Sequence, residues 1–363
     1  FRLPKAVSAI VVGAALSASG LQMQTLFRNP LAGPYVLGIS SGASLGVSLF
    51  LLGAPLLGIS FASEALRNVG IVGSAWIGGA LILLVIMAVS ARLKDIMAIL
   101  ILGMMFGSAA SAVVQILQYL STDSALKSFV IWTMGSLGGV SLAQLGLMSG
   151  IVLAGLILSV YLIKPLNLLL LGENYARTMG LNVRITRLLL FVSTTLLAGT
   201  VTAFCGPIGF IGIAVPHVAR MLTGNADHRI LMPASILLGS VTMLLCDIIA
   251  QLPGREMVLP VNTVTALLGI PIVVLVIVRN RKIFYPESDV RSRKRYYPPA
   301  GTCVGLSGPY AVRKCRPLFR PRRTDCTDRP QRYGQKHAAA HDYGTATSFA
   351  GQYPDRAEIG ARA

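Results

Sequence analysis

Charge is what this chain has least of. Asp, Glu, Lys and Arg together make up 13% of its 363 residues, and only 14 of these are acidic against 32 basic. With 54% hydrophobic residues and a mean hydropathy of +0.68, the chain is too apolar to be one water-soluble domain. The class is a polytopic membrane protein. Cysteine is sparse as well. Cys205, Cys246, Cys303, Cys315 and Cys326 show no metal-ligand spacing, and the first two lie in apolar surroundings, so neither a zinc site nor a disulfide framework is read. The start, Phe1-Arg2-Leu3-Pro4-Lys5, has no initiator Met and runs straight into an apolar span without a clear cleavage site. That pattern is not a signal peptide and reads as the start of a fragment.

What is present is a series of apolar runs near the length a membrane helix needs, about 20 residues. They fall at 6–26, 37–52, 70–90, 96–120, 145–163, 185–204, 208–222, 230–249 and 261–278, nine spans of which two are short. The net charge of +18 would suit nucleic acid, but a basic excess is also expected of cytoplasmic loops. If the chain starts outside, one side holds Arg28, Arg92, Lys94, Lys164, Arg177, Arg184, Arg187, Arg220, Arg229, Arg279, Arg281 and Lys282. The other holds only Arg2, Lys5, Arg67, Lys127 and Arg255. The asymmetry explains the charge of the membrane body without a nucleic-acid partner and puts the end of the last span in the cytoplasm.

One stretch stands out, TAFCGPIGFIGIAVPHVARMLTGNADHR at 202–229. Gly206, Gly209 and Gly212 open it, Pro216-His217 interrupts it, and Arg220 and Arg229 close it. So many breakers suit a bilayer, where neighbouring helices satisfy freed backbone groups and small residues let helices approach. The plain alternative is a glycine-rich packed membrane helix with His217 as a buried hydrogen-bonding residue. Asp247, near the outer end of its span, is a functional candidate by position, yet at a helix end it serves equally to reach water or a neighbouring helix, and the structural role is favoured.

Six stretches in order then carry a resemblance: RLPKAVSAIVVGAALSASG (2–20), RNPLAGPYVLGISSGASLG (28–46), GENYARTMGLNV (172–183), GPIGFIGIAVPHVAR (206–220), DHRILMPASILLG (227–239) and LPVNTVTALLGIP (259–271). Together they resemble the permease subunits of binding-protein-dependent ABC importers for iron-siderophores, haem and cobalamin, the FecCD family. The resemblance covers residues 1–282 as one transmembrane permease domain. It implies an all-α membrane helix bundle of ten transmembrane helices in the family, here about nine, with the helix before RLPK not in this chain.

The resemblance implies a division of labour. Two permeases, as a homodimer or a related heterodimer, surround a translocation path; ATP-binding subunits dock on the cytoplasmic face, and a periplasmic or lipid-anchored substrate-binding protein docks outside. ATP and Mg belong to the ATPase, so the permease binds no cofactor and is not itself an enzyme. The segment 172–182 matches the family's ATPase-coupling segment, with Gly172, Glu173, Ala176, Arg177, Gly180 and Asn182. Read from the residues alone, Glu173 and Arg177 can pair at i,i+4 and Gly180 suits a C-terminal cap; the plain alternative is a solvated loop. Arg2 and Lys5 fall on positions that meet the binding protein in the family, with Lys5 standing where the family often has Arg, which keeps the charge but loses bidentate geometry. A third such position is Gln251, with Arg255 four residues on as a substitute; interfacial anchoring is the plain reading of Arg2 and Lys5. Gly206, Pro207, Gly209, Gly212, Pro216 and His217 match the family's glycine-proline-histidine motif. Two other readings stay open: a secondary transporter of a small solute, which would more often carry an ion site near the midplane, and a nonfunctional truncated or frameshifted permease product.

From 283 to 363 the character changes. SRKRYYPPAG and RKCRPLFRPRRTDCTDRPQR are basic, poor in apolar residues and without helical or strand period, and are expected to be disordered. Basic tracts with Tyr are also a pattern for RNA or anionic lipid. A third reading fits better, translation out of frame. Joining the last two bases of each codon from Arg329 to His337 to the first base of the next permits a frame containing G-x-x-x-x-G-K-[ST], the phosphate-binding loop of an ATPase.

Overall fold

An apolar segment in a bilayer has no water to satisfy its N–H and C=O groups, so it must bond to itself as a helix. The computed structural model follows that rule throughout the apolar body. It describes residues 2–56, 64–90, 93, 96–252, 259–279, 302–304 and 312–314. Its helices are α1 (Arg2–Phe27), α2 (Ile39–Ser48), α3 (Ala54–Leu56), α4 (Glu64–Ser90), α5 (Ile96–Leu120), α6 (Asp123–Thr133), α7 (Leu142–Tyr161), α8 (Ile163–Leu170), α9 (Glu173–Thr178), α10 (Val183–Thr194), α11 (Thr200–Cys205), α12 (Ile211–Thr223), α13 (His228–Ala250) and α14 (Val261–Arg279). Wider π turns at Leu49–Gly53 and Thr195–Gly199 join α2 to α3 and α10 to α11.

Among the described residues six helices are long and apolar enough to span a membrane: Leu3–Phe27, Leu66–Ser90, Ile96–Leu120, Leu142–Tyr161, Val183–Cys205 and His228–Ala250. Three shorter apolar helices, Ile39–Gly53, Ile211–Thr223 and Val261–Leu275, complete the expected nine. Between spans, α9 follows the helical spacing of Glu173 and Arg177, whereas α6 and α8 are not marked by the sequence. They are short, and a search for membrane-length apolar runs does not register them.

Two of the spans are interior. Burial reaches 78% in Leu3–Phe27 and 72% in Val183–Cys205, against 33% or less in the other four long spans, whose apolar side chains therefore face outward. The interior of α1 is unusually polar, with Ser17, Ser19, Gln22, Gln24 and Thr25 all buried. Each finds a partner, as buried polar groups must. Gln22 Nε2 donates to Ser159 Oγ at 2.6 Å and to Ser193 Oγ at 3.1 Å, tying α1 to α7 and α10.

Close helix approach is set by glycine. A Cβ on Gly20 would lie 2.6 Å from Gly212 Cα, and one on Gly13 would lie 2.8 Å from Met243 Cβ, so α1 meets α12 and α13 backbone to backbone. Gly42 and Gly78 do the same between α2 and α4. Such contacts replace the hydrophobic driving force that lipid does not supply.

Asp227 caps α13. Its carboxylate accepts from Arg229 N–H at 2.8 Å and from Asn167 Nδ2 at 2.6 Å. These bonds, the first above all, hold its pKa below the ordinary Asp value. The cap's contribution is therefore complete at neutral pH and is lost as the pH falls through that lowered value.

The chain divides into two units, Phe1–Pro286 and Glu287–Ala363. In the second, β1 (Thr302–Val304) pairs antiparallel with β2 (Val312–Lys314), Cys303 standing opposite Arg313. Strands of three residues are too short to show an alternating pattern in the sequence. The rest of 283–363, including the frame-shifted reading around Arg329–His337, lies outside the described residues.

Candidate functional site

Chemistry-bearing side chains gather at the two ends of the α1–α13 pair and at one turn between them. The first group is the segment that the resemblance assigned to coupling. Gly172 has φ +116°, a conformation that L side chains rarely adopt, and a Cβ there would lie 2.8 Å from Arg28 Nη2. Arg28 occupies that space to donate to the carbonyls of Leu169 at 3.2 Å and Leu170 at 3.4 Å, closing the C-terminal end of α8. α9 follows as less than two turns, with Ala176 fully buried beneath it. Gly180, at φ +86°, then turns the chain: its N–H bonds to Arg177 O at 3.0 Å and that of Leu181 to Ala176 O at 3.0 Å. Asn182 caps α10 by accepting from Ile185 N–H at 3.2 Å.

The expected Glu173–Arg177 pair forms, at 3.9 Å, but it is the looser of two. Glu173 also bonds to Arg187 on α10, whose side chain is 7% exposed against 53% for Arg177. The carboxylate thus ties α9 down to α10, the membrane helix that follows it. Arg28 and Arg187 are the residues that the sequence reading missed here. Nothing local marks either: Arg28 acts on carbonyls far along the chain, and Arg187 reaches Glu173 across the turn between α9 and α10.

At the opposite end of α1, Lys5 Nζ lies 3.0 Å from Asp247 Oδ1 on α13, the two side chains 19% and 7% exposed. Gln251 Nε2 donates to Asp247 Oδ2 at 2.7 Å. Lys5 and Gln251, both expected near the binding-protein contact, are therefore engaged within the chain, and Asp247 is a structural partner. The side chain of Arg2, and Arg255 entirely, lie outside the described residues. Lys5→Met, which strips the ammonium from a buried carboxylate, is expected to destabilise the protein by roughly 2–3 kcal/mol, below the fully buried range because Lys5 keeps some solvent. Lys5→Met/Asp247→Asn should recover most of that loss in thermal unfolding. Additive losses in the double variant would show that the pair is not coupled.

The glycine-proline-histidine motif forms a third junction. Gly206 breaks the rod after α11 at φ +77°; a Cβ there would lie 3.1 Å from Gly135 Cα. Gly209 N–H donates to Asn262 Oδ1 at 3.0 Å, and Ile208 N–H to the Tyr35 hydroxyl at 3.4 Å. Pro207 carries no N–H, and the chain turns there between α11 and α12. Phe210, at φ +66°, is one of two non-glycine residues of positive φ among the described residues. Gly212 begins the contact with α1 and also meets Pro34, whose Cδ would lie 2.7 Å from an added Cβ. One turn beyond Gly212, Pro216 lies inside α12, buried like its neighbour His217. His217 Nε2 donates to Pro30 O at 2.7 Å, the hydrogen-bonding role expected of it. Three stretches distant in sequence, 28–46, 206–220 and 259–271, are thereby joined at one turn. Among the described residues no cluster of three His, Cys, Asp or Glu side chains is placed to hold a metal.

Comparison with known proteins gives this arrangement its context. The model of the FecCD transport family matches residues 1–279. The vitamin B12 import system permease protein BtuC of Klebsiella pneumoniae subsp. pneumoniae is 40% identical over 282 residues, which cover 77% of this chain and 82% of that protein. The BtuC of Citrobacter koseri is 38% identical over 282 residues, with coverage of 77% and 82%. Among solved structures, a metal-chelate type ABC transporter in an inward-facing conformation is similar at a TM-score of 0.69 and 32% identity, over 77% of this chain and 86% of that one. With its glycine-packed helices, its motifs in family order and a match that runs from Phe1 to Arg279, the chain belongs to the FecCD transport family, as an inner-membrane ABC importer permease.

Proposed function

We propose that this permease carries cobalamin inward, working as one of two permease subunits around a shared path, as a homodimer or with a related subunit. An ATP-binding subunit that holds ATP and Mg drives it from the cytoplasmic side, docking on 172–182, and a substrate-binding protein delivers the cargo from outside. The observation that carries the cargo is the identity of 38–40% to vitamin B12 import permeases over most of both chains. Iron-siderophores and haem are the family-level alternatives, and the likeness to a metal-chelate type transporter agrees with a metal-centred cargo of any of these kinds. For the coupling role, the support is a short charged helix tied to α10 by Arg187, following an α8 terminus that Arg28 closes. A secondary transporter finds no support in Asp247, whose charge is already met by Lys5.

The test is uptake in proteoliposomes that carry the permease with the ATP-binding subunit and binding protein of the same genome. Labelled cobalamin should accumulate only with ATP inside the coupling compartment, and neither ferric siderophore nor haem should compete. Uptake of ferric siderophore or haem instead would replace the cargo. Uptake that survives loss of ATP and follows an ion gradient would overturn the coupling scheme.

A further inference from the structure

A cavity of about 540 Å³ opens beside the coupling segment, lined by residues from the last turns of α4 and the first turns of α10. Its lining has two chemistries. Arg177, Arg184 and Arg187 supply three guanidinium groups, while Leu93, Leu188 and Phe191 supply apolar surface. The Glu173 carboxylate meets both Arg177 and Arg187. Among the described residues Arg184 has no ion pair, and the pair of Arg177 with Glu173 is loose at 3.9 Å. The cavity also sits where the span Leu66–Ser90 ends and Val183–Cys205 begins, at the level where the chain leaves the membrane on its positively charged side.

A small aqueous anion would use the arginines and leave the apolar lining without a partner. An apolar tail alone would do the reverse. We propose that the cavity is a binding site for an anionic phospholipid of the cytoplasmic leaflet, with its headgroup phosphate on Arg184 and Arg177 and the start of an acyl chain on Leu188 and Phe191. Guanidinium groups match phosphate oxygens in geometry as well as charge, and basic pockets between helices at this depth suit such headgroups. The site is independent of which cargo the permease carries.

The experiment titrates the purified full chain in mild detergent with dioleoylphosphatidylglycerol or dioleoylphosphatidylcholine and counts bound lipid by native mass spectrometry. One phosphatidylglycerol should be retained in preference to phosphatidylcholine. Arg184→Gln should weaken it about fivefold, the contribution typical of one basic residue at an anionic surface, and Arg184→Lys should restore part of that loss. Arg184 is exposed, and an unchanged melting temperature checks that the variant is folded. Inorganic phosphate in large excess should not displace the lipid. Equal retention of the two lipids, indifference to Arg184→Gln, or displacement by free phosphate would each overturn the proposal. So would displacement by the ATP-binding subunit, which would make the cavity a protein contact.

Discussion

Gly20→Leu is expected to leave little folded permease in the membrane. At Gly20 even a Cβ would lie 2.6 Å from Gly212 Cα, and still nearer the carbonyl oxygen of that residue. The obstacle is backbone, which has no rotamer to give way. α1 and α12 would have to move apart, and α1 is the most enclosed of the long spans, bonded through Gln22 to Ser159 and Ser193 and through Gln24 to the Ile213 carbonyl. Overpacking a core commonly costs 1–3 kcal/mol, and here roughly 3 kcal/mol or more is expected because a helix interface must open. Gly20→Ala should be intermediate. Gly146 is the control: it lies in α7 with nothing within 4 Å of an added Cβ, so Gly146→Ala should be neutral or slightly stabilising. Yield and thermal unfolding in detergent measure all three. A Gly20→Leu protein that melts with the wild type would show that α1 and α12 do not meet as described.

The second large effect is on transport rather than folding. Glu173→Lys should leave the permease inserted and stable enough to purify, yet separate ATP hydrolysis from uptake. The substitution removes the carboxylate that engages both Arg177 and Arg187 and puts a third cation between them. Breaking a buried pair costs about 3–5 kcal/mol, but Glu173 is 23% exposed and water offsets part of the loss, so roughly 1–3 kcal/mol is expected. That is enough to release α9 from α10 while the bundle persists. In proteoliposomes with the ATP-binding subunit, uptake should fall by at least tenfold, since a displacement worth about 1.4 kcal/mol already gives that factor. Basal ATP hydrolysis should continue but no longer respond to the loaded binding protein. Glu173→Asp should retain partial coupling. Uptake and stimulation both unchanged in Glu173→Lys would remove the coupling assignment.

What the sequence alone determined lies in local chemistry. Hydropathy marks every span, because a bilayer demands about 20 apolar residues and tolerates few charges. Gly180 was legible as a cap because the positive φ of a helix end favours glycine, and Glu173–Arg177 because four residues make one helical turn. The order of the six motifs was enough to indicate the family. What the sequence could not decide was which distant residues meet. Glu173 reaches Arg187 across a turn as well as Arg177 along its own helix, Arg28 fills the space beside Gly172, and Lys5 finds Asp247 from the far end of the domain. Those pairings, and the cavity beside α10, depend on which helices are neighbours and how closely their glycines let them approach, and no periodicity within one helix encodes its neighbour.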